Sequence, residues 1–356
     1  MGVLEEMGVF KKIFDRELER YFSSLIKNIK KEDALTGRAL ECVRDIALAG
    51  GKRIRPMLAF KSYEAFGGKD KKAFMKVAIA IELIHIYLLI HDDICDRSDS
   101  RHGKKTLHVA ITESVCSKLG AAEAVHFGIS MAVIVGDLLC AEAFKLISQS
   151  GLDLKKKDGI GAYFQKIISQ TCVGQAQEFS LQLQRNAKYE EIMKIYLNKT
   201  AKYTFEGPLH MGAIASGKGD KQALKKLSAY ALPMGVAYQM QDDLLSIFVP
   251  ERKSGKSNIS DIQEGKQTLL VLETRKRASA IECKKFDSLL GKADITKKEA
   301  GEFRGIIKST GALEAVKGEI DDYFGEAARQ ARLLKADKKL KMFLAGLTGY
   351  LAGREL

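Results

Sequence analysis

The stretch VAIAIELIHIYLLIHDDICD, residues 77–96, decides how the whole chain is read. Its first fourteen positions are apolar except for Glu82 and His85, with no proline or glycine to break them. Such a run fits a helix buried on most of its faces. It ends in a different chemistry, with Asp92, Asp93 and Asp96 crowded into one turn. On a helix, Asp92 and Asp96 stand four residues apart and share a face. Carboxylates this close repel one another and call for a counter-charge.

A lone acidic pair is often just an exposed helix end, but a second stretch repeats the pattern. MGVAYQMQDDLLSIFV, residues 234–249, again closes an apolar inner face with a double aspartate, Asp242–Asp243. Hard divalent cations such as Mg2+ take oxygen ligands: a few carboxylates, with water and phosphate completing the shell. Two apolar helices ending this way can share such ions. Asp321–Asp322 provides a contrast, since GEIDDYFGEAARQARLL reads as a polar amphipathic surface helix. An EF-hand is excluded because Arg97 stands where a ligand is required.

Cations gather near both acidic groups. GGKRIRP, residues 50–56, offers Lys52, Arg53 and Arg55 in a glycine loop that can wrap a phosphate. Arg101, His102, Lys104 and Lys105 follow the first aspartates, while Lys199–Thr200 and Lys256 flank the second. Together these residues suggest a cleft for a metal-bridged diphosphate. A nucleotide P-loop is excluded at SIFVPERKSGKS, because Pro250 occupies the first glycine position of that motif.

The bulk numbers agree with one helical protein. Across 356 residues, 46% are hydrophobic and only four are proline, so long helices are allowed nearly everywhere. The stripe over 3–30 and further segments at 57–67, 72–95, 121–149, 159–184, 189–216, 221–248, 265–290, 296–309 and 311–333 predict an all-α fold. No linker or fixed repeat divides it, so a single domain over 1–356 is expected. The net charge of +13 favours anionic partners. Nucleic acid is not among them, since zinc-finger spacing and RNA-binding sheet motifs are absent. Six scattered cysteines read as reduced core residues of a cytoplasmic protein. Residues 77–90 are too short to span a bilayer, so no transmembrane segment is expected.

With these motifs in this order, the chain resembles the trans-isoprenyl diphosphate synthases of the polyprenyl synthetase family, most of all their short-chain geranylgeranyl and farnesyl members. The resemblance extends from GGKRIRP to GKQTLLVL, residues 50–272. It implies the isoprenoid-synthase fold, a single large domain of antiparallel helices around a deep central cleft, and a homodimer. It also implies Mg2+ held by Asp92, Asp96 and Asp242, with Asp93, Asp243 and Lys199 beside them in the catalytic group. By the same resemblance, isopentenyl diphosphate falls to Lys52, Arg55 and His85, with His102 at a further position that normally binds it, and Arg101 beside it binds substrate. The allylic diphosphate falls to Lys199, Thr200, Lys256 and Lys266, Gln239 of the second motif also binds substrate, and Asp261 matches an aspartate between those last lysines.

Three positions depart from the family pattern. His102 replaces an arginine, Ser246 replaces the last aspartate of the second motif, and Tyr238 replaces a phenylalanine. Tyr87 and Leu88, five and four residues before Asp92, occupy the positions that set product length in short-chain relatives. One aromatic without the second favours C20 over C15. A terpene cyclase and a non-catalytic partner subunit are the alternatives. The isopentenyl site argues against the first, and the retention of both aspartate motifs argues against the second.

Overall fold

Asp70 and Asp220 start the two helices that carry the aspartate motifs. Each accepts a hydrogen bond from the backbone N–H three residues on, Ala73 at 2.9 Å and Ala223 at 2.8 Å, satisfying one of the donors a helix leaves open at its start. The computed structural model describes residues 2–249, 258–334 and 336–354. Helices dominate among these residues, and the all-α class is borne out. The single strand pair, Ser100–Arg101 with Lys104–Lys105, is two residues long on each side.

The chain's contacts fall into two compact units, one comprising residues 1–60 and 70–157, the other 61–69 and 158–356. The first contains α1 (Val3–Glu32), α2 (Ala34–Ala49), α4 (Lys71–Cys95), α5 (Leu107–Val115) and α6 (Ala121–Ser148). Helix α3 spans Ile54–Ala65. Helix α4 is the centre of its unit and packs chiefly on α6. Phe74, Val77, Ile79, Ile81, Leu83 and Ile84 are all buried, each stabilising the fold by about 1.5–3 kcal/mol relative to exposure. The helix stops in a Schellman turn. Ser98 N–H bonds Asp93 C=O at 2.9 Å, Arg97 N–H bonds Ile94 C=O at 3.2 Å, and Arg97 takes the left-handed conformation at φ 49°.

In the second unit, α7 (Leu154–Gln184), α8 (Tyr189–Ile195) and α9 (Gly207–Ser216) precede α10 (Lys221–Phe248). Between α8 and α9 the chain widens into an eleven-residue π-helix, Tyr196–Glu206, an unusual length for a form that normally lasts one turn. Two glycines let its neighbours come close. A Cβ at Gly174 would meet Lys199 N at 2.7 Å, and one at Gly235 would meet Ala201 Cα at 2.3 Å. Helix α10 packs on this π segment and on the helix Ala312–Leu333.

Several expectations need correction. Ala34–Ala49 and Lys338–Ala352 are helices that apolar periodicity did not reveal, the first capped by Asp33 accepting from Thr36 N–H at 2.6 Å. The stretch 265–290 is not one helix. It divides into Leu269–Arg277 and Ala280–Leu289, where Ser279 and Glu282 form a capping box. Helix α7 starts at Leu154, so Gly159 lies inside it. The six cysteines form no disulfide, but none of them is buried, and Cys95, Cys116 and Cys172 are exposed. Helix α4, at 25 residues, is long and apolar enough to span a bilayer, as is α6. The most apolar part of α4 is 67% buried inside the protein and that of α6 only 33%.

The glycine contacts make opposite predictions at two helical sites. Gly235→Ala should destabilise the protein by about 1–3 kcal/mol, because backbone has to move. Gly301→Ala, in the helix Lys297–Ser309 with nothing within 4 Å of its Cβ position, should stabilise by about 0.5–1 kcal/mol. Urea unfolding of both variants measures the two signs.

Candidate active site

In the first unit the glycine loop is held by an arginine that is not a ligand. Gly51 (φ 92°) and Arg53 (φ 53°) are both left-handed, turning the Arg53 side chain inward, where only 5% remains exposed. Its guanidinium donates to Asp15 Oδ1 at 2.6 Å, Glu82 Oε1 at 2.6 Å and the Ala47 carbonyl at 2.5 Å. Burial opposes its charge, but Glu82 and Asp15 outweigh that and hold its pKa above the ordinary value. This accounts for Glu82, the one acid inside the apolar run. Lys52, next to Arg53, is exposed.

Two residues on from Arg53, Arg55 donates to His85 Nε2 at 3.1 Å. Guanidinium only donates, so His85 carries its proton on Nδ1. Burial, then the charges of Arg55, Arg101, Arg53 and His102, lower the His85 pKa well below its usual 6.5. It is a neutral imidazole among cations. His102 joins this group through a tight hairpin. With His102 (φ 52°) and Gly103 (φ 72°) both left-handed between paired Arg101 and Lys104, the turn has the type I′ form. Histidine is one of the few residues enriched in that conformation, which suits it to this position. A Cβ at Gly50 would lie 2.6 Å from the His102 ring, so the loop glycine makes room for it.

The first aspartates divide into two kinds. Asp93 is 3% exposed and accepts from Arg101 Nε at 2.8 Å and from Arg101 Nη2. Burial opposes the Arg101 charge, yet Asp93, Asp92 and Asp96 together raise its pKa. Asp92, 3.6 Å from Arg101 Nη2, keeps 23% of its side chain exposed, and Asp96 is also half-buried. Tyr87 and Leu88 are half-buried further back on α4.

The second unit shows the same division. Asp243 is buried and accepts from Tyr196 OH at 2.5 Å and Gln239 Nε2 at 2.8 Å. Burial lifts its carboxyl to about 7, and the Asp261 and Glu178 charges add to the rise while Tyr196 and Gln239 oppose it. Gln239 also accepts from Thr200 Oγ1, tying the π segment to α10. Asp242 keeps 36% of its side chain exposed and pairs with Arg354 at 2.6 Å. Ser246, standing where the family has an aspartate, donates to Asp261, and Asp261 also accepts from Lys266 Nζ at 2.9 Å. Lys199 Nζ donates to Glu178 at 2.6 Å. Lys256 lies outside the described residues.

Four contributors escaped the sequence reading: Arg354, Tyr196, Glu178 and the structural role of Arg53. Arg354 sits 112 positions from its partner and 5.0 Å over the Tyr238 ring, a contact that no local pattern signals.

A family model described as polyprenyl synthetase matches residues 38–306. A short chain isoprenyl diphosphate synthase of Methanothermobacter thermautotrophicus is 32% identical over 353 residues, 99% of this chain and 100% of that protein. A geranylgeranyl diphosphate synthase of Saccharolobus solfataricus is 32% identical over 302 residues, 82% of this chain and 84% of its own. Among solved structures, the geranylgeranyl pyrophosphate synthase of Corynebacterium glutamicum, complexed with isoprenyl diphosphate and magnesium, matches with a TM-score of 0.88. It is 27% identical, over 96% of this chain and 99% of that one.

The neutral state of His85 has a thermodynamic signature. Its folded pKa is depressed, so on acidification the unfolded chain takes up a proton that the folded protein refuses. Stability is therefore intact above pH 6.5 and falls below it, by up to about 1.4 kcal/mol per pH unit. Between pH 7.5 and 5.5, urea unfolding should show the native protein losing about 1 kcal/mol more than His85→Gln. Parallel losses would refute the assignment.

Proposed function

Because the chain belongs to the polyprenyl synthetase family and is a trans-prenyltransferase, we propose that it condenses isopentenyl diphosphate with an allylic diphosphate. The product we infer is a short all-trans prenyl diphosphate, C20 in preference to C15. The observation that carries this reading is the cation cradle of the first unit. Arg55, neutral His85, His102 and exposed Lys52 gather at a glycine loop beside Asp92 and Asp96. With Nε2 accepting from Arg55, His85 offers Nδ1–H to an anion oxygen. Arg55 supplies a fork, and Lys52 a mobile point charge.

The residues suit Mg2+. Asp92, Asp96 and Asp242 are part-exposed carboxylates of the kind that bind it together with phosphate oxygens and water, Asp242 on exchanging its ion pair with Arg354, whereas Asp93 and Asp243 are buried against their protein donors. Mg2+, when bound, neutralises charge on the diphosphate as it leaves.

The reaction is ionisation, condensation and elimination. The allylic C–O bond breaks to leave a cation and diphosphate, the isopentenyl double bond attacks, and a proton passes to the departing diphosphate. Lys199, Thr200, Gln239, Lys256 and Lys266 hold the allylic diphosphate. Apolar side chains of α4 exclude water from the cation. Tyr87 forms the floor under the growing chain, and Leu88 beside it leaves room that a second aromatic would fill.

The enzyme acts in the cytoplasm as a homodimer without a transmembrane segment. The support is α6, where the neighbouring Val133 and Ile134 are 39% and 56% exposed, apolar surface a second copy would cover. Ile134→Glu should shift the protein from dimer to monomer in light scattering. An unchanged mass would place the dimer contact elsewhere.

The decisive assay incubates the purified protein alone with labelled isopentenyl diphosphate, an allylic diphosphate and Mg2+. Asp92→Ala and Asp242→Ala should each lower kcat by roughly a hundredfold or more. Full turnover in EDTA would overturn the metal assignment.

A further inference from the structure

Two half-buried rings on α4 meet just before the first aspartates. Tyr87 and His91 stand four residues apart and share a helix face. Their ring centroids are 4.7 Å apart at an interplanar angle of 67°, an edge-to-face pair. His91 is held on its other side by α6. Its Nε2 lies 3.3 Å from the Val133 carbonyl, which only accepts, so Nε2 carries the ring proton and donates it. Asp137 Oδ1 stands 3.9 Å away and adds a second attraction from the same helix.

Gly136 explains why the ring fits there. A Cβ at that position would come within 2.5 Å of His91 Nε2 and 2.8 Å of Cδ2, distances that real Cβ atoms essentially never show. Glycine inside a helix is unfavourable unless packing requires it. Here the imidazole occupies the space an alanine methyl would take. The two helices therefore fix His91 in one orientation, and His91 in turn presents its ring to Tyr87.

We propose that His91, seated on Gly136, is a positioning residue for product length, holding the Tyr87 ring in the one orientation in which it blocks the growing chain. The inference rests on the reading of Tyr87 as that floor. A floor ring free to rotate yields to an extra isoprene unit by turning aside, whereas a ring locked against a neighbour resists it. His91 has no part in binding metal or diphosphate in this account. It precedes Asp92 in sequence, but its contacts are with α6 and Tyr87.

The test is product chromatography of the full-length enzyme with isopentenyl diphosphate and farnesyl diphosphate. His91→Ala should raise the C25:C20 ratio at least about threefold. His91→Phe, which keeps a ring against Tyr87, should shift it less than His91→Ala does. Tyr87→Ala is the reference and should lengthen the product more than either. If Tyr87→Ala lengthens the product while an active His91→Ala leaves it unchanged, the inference falls and the floor stands. If Tyr87→Ala has no effect, the floor falls, and the inference with it. Should His91→Ala lose turnover altogether, Gly136→Ala decides, because its methyl must displace the ring. A changed product ratio then supports the inference, and an unchanged one overturns it.

Discussion

A carboxylate in the middle of an apolar helix stays charged only if a cation is brought to it away from water. Much of the first unit follows from how Arg53 meets Glu82. Reaching inward turns the Arg53 backbone left-handed and leaves Lys52 facing solvent. It also places Arg55, two residues along, against His85. Asp15 of α1 and the Ala47 carbonyl of α2 complete the coordination of the guanidinium, so one buried ion set joins two helices and the phosphate loop to α4. Loss of either partner would leave an uncompensated charge in the interior, a defect that typically costs about 3–5 kcal/mol.

The same economy of charge governs both aspartate motifs. In each, one carboxylate is buried and bonded to protein donors, Asp93 to Arg101 and Asp243 to Tyr196 and Gln239. Its neighbour, Asp92 or Asp242, stays half in solvent. The buried member orients the helix end through fixed hydrogen bonds. The exposed one meets an arginine, Asp242 with Arg354 at 2.6 Å and Asp92 with Arg101 at 3.6 Å. The two motifs arrive at this arrangement with different partners, a guanidinium in one unit and a phenol and an amide in the other. Burial lifts the Asp243 carboxyl towards neutrality, to about 7.

The helical class and the motifs of the family could be read from sequence because both depend on local spacing. Aspartates four residues apart, a glycine loop rich in cations, and an apolar run that excludes solvent are properties of short windows. The partners were not legible. Glu82 signalled an interruption in the apolar run but not that Arg53 would answer it, so Arg53 read as a phosphate ligand beside Lys52 and Arg55. The His102–Gly103 turn was legible in principle, since two residues tolerant of left-handed backbone stand between cations. The π segment was not, because the glycines that permit it, Gly174 and Gly235, lie on other helices. Ala34–Ala49 escaped for a simpler reason: Gly37 and Thr36 weaken its periodic signal, while its cap, Asp33, sits among charged neighbours.

The ion pair between Asp242 and Arg354 bears on the order in which the protein assembles. The first acidic cluster finds its cation eight positions away, at Arg101, and can be balanced as soon as that hairpin forms. The second waits for a residue 112 positions later, which closes a long loop at high entropic cost. During synthesis the chain therefore emerges with Asp93 able to meet Arg101 while Asp242 still lacks Arg354. Contacts of such long range slow folding, so the second cluster gains its arginine only as the helices after α10 dock. Until then the carboxylate of Asp242 is exposed to any cation in solution, and its native partner is among the last to reach it.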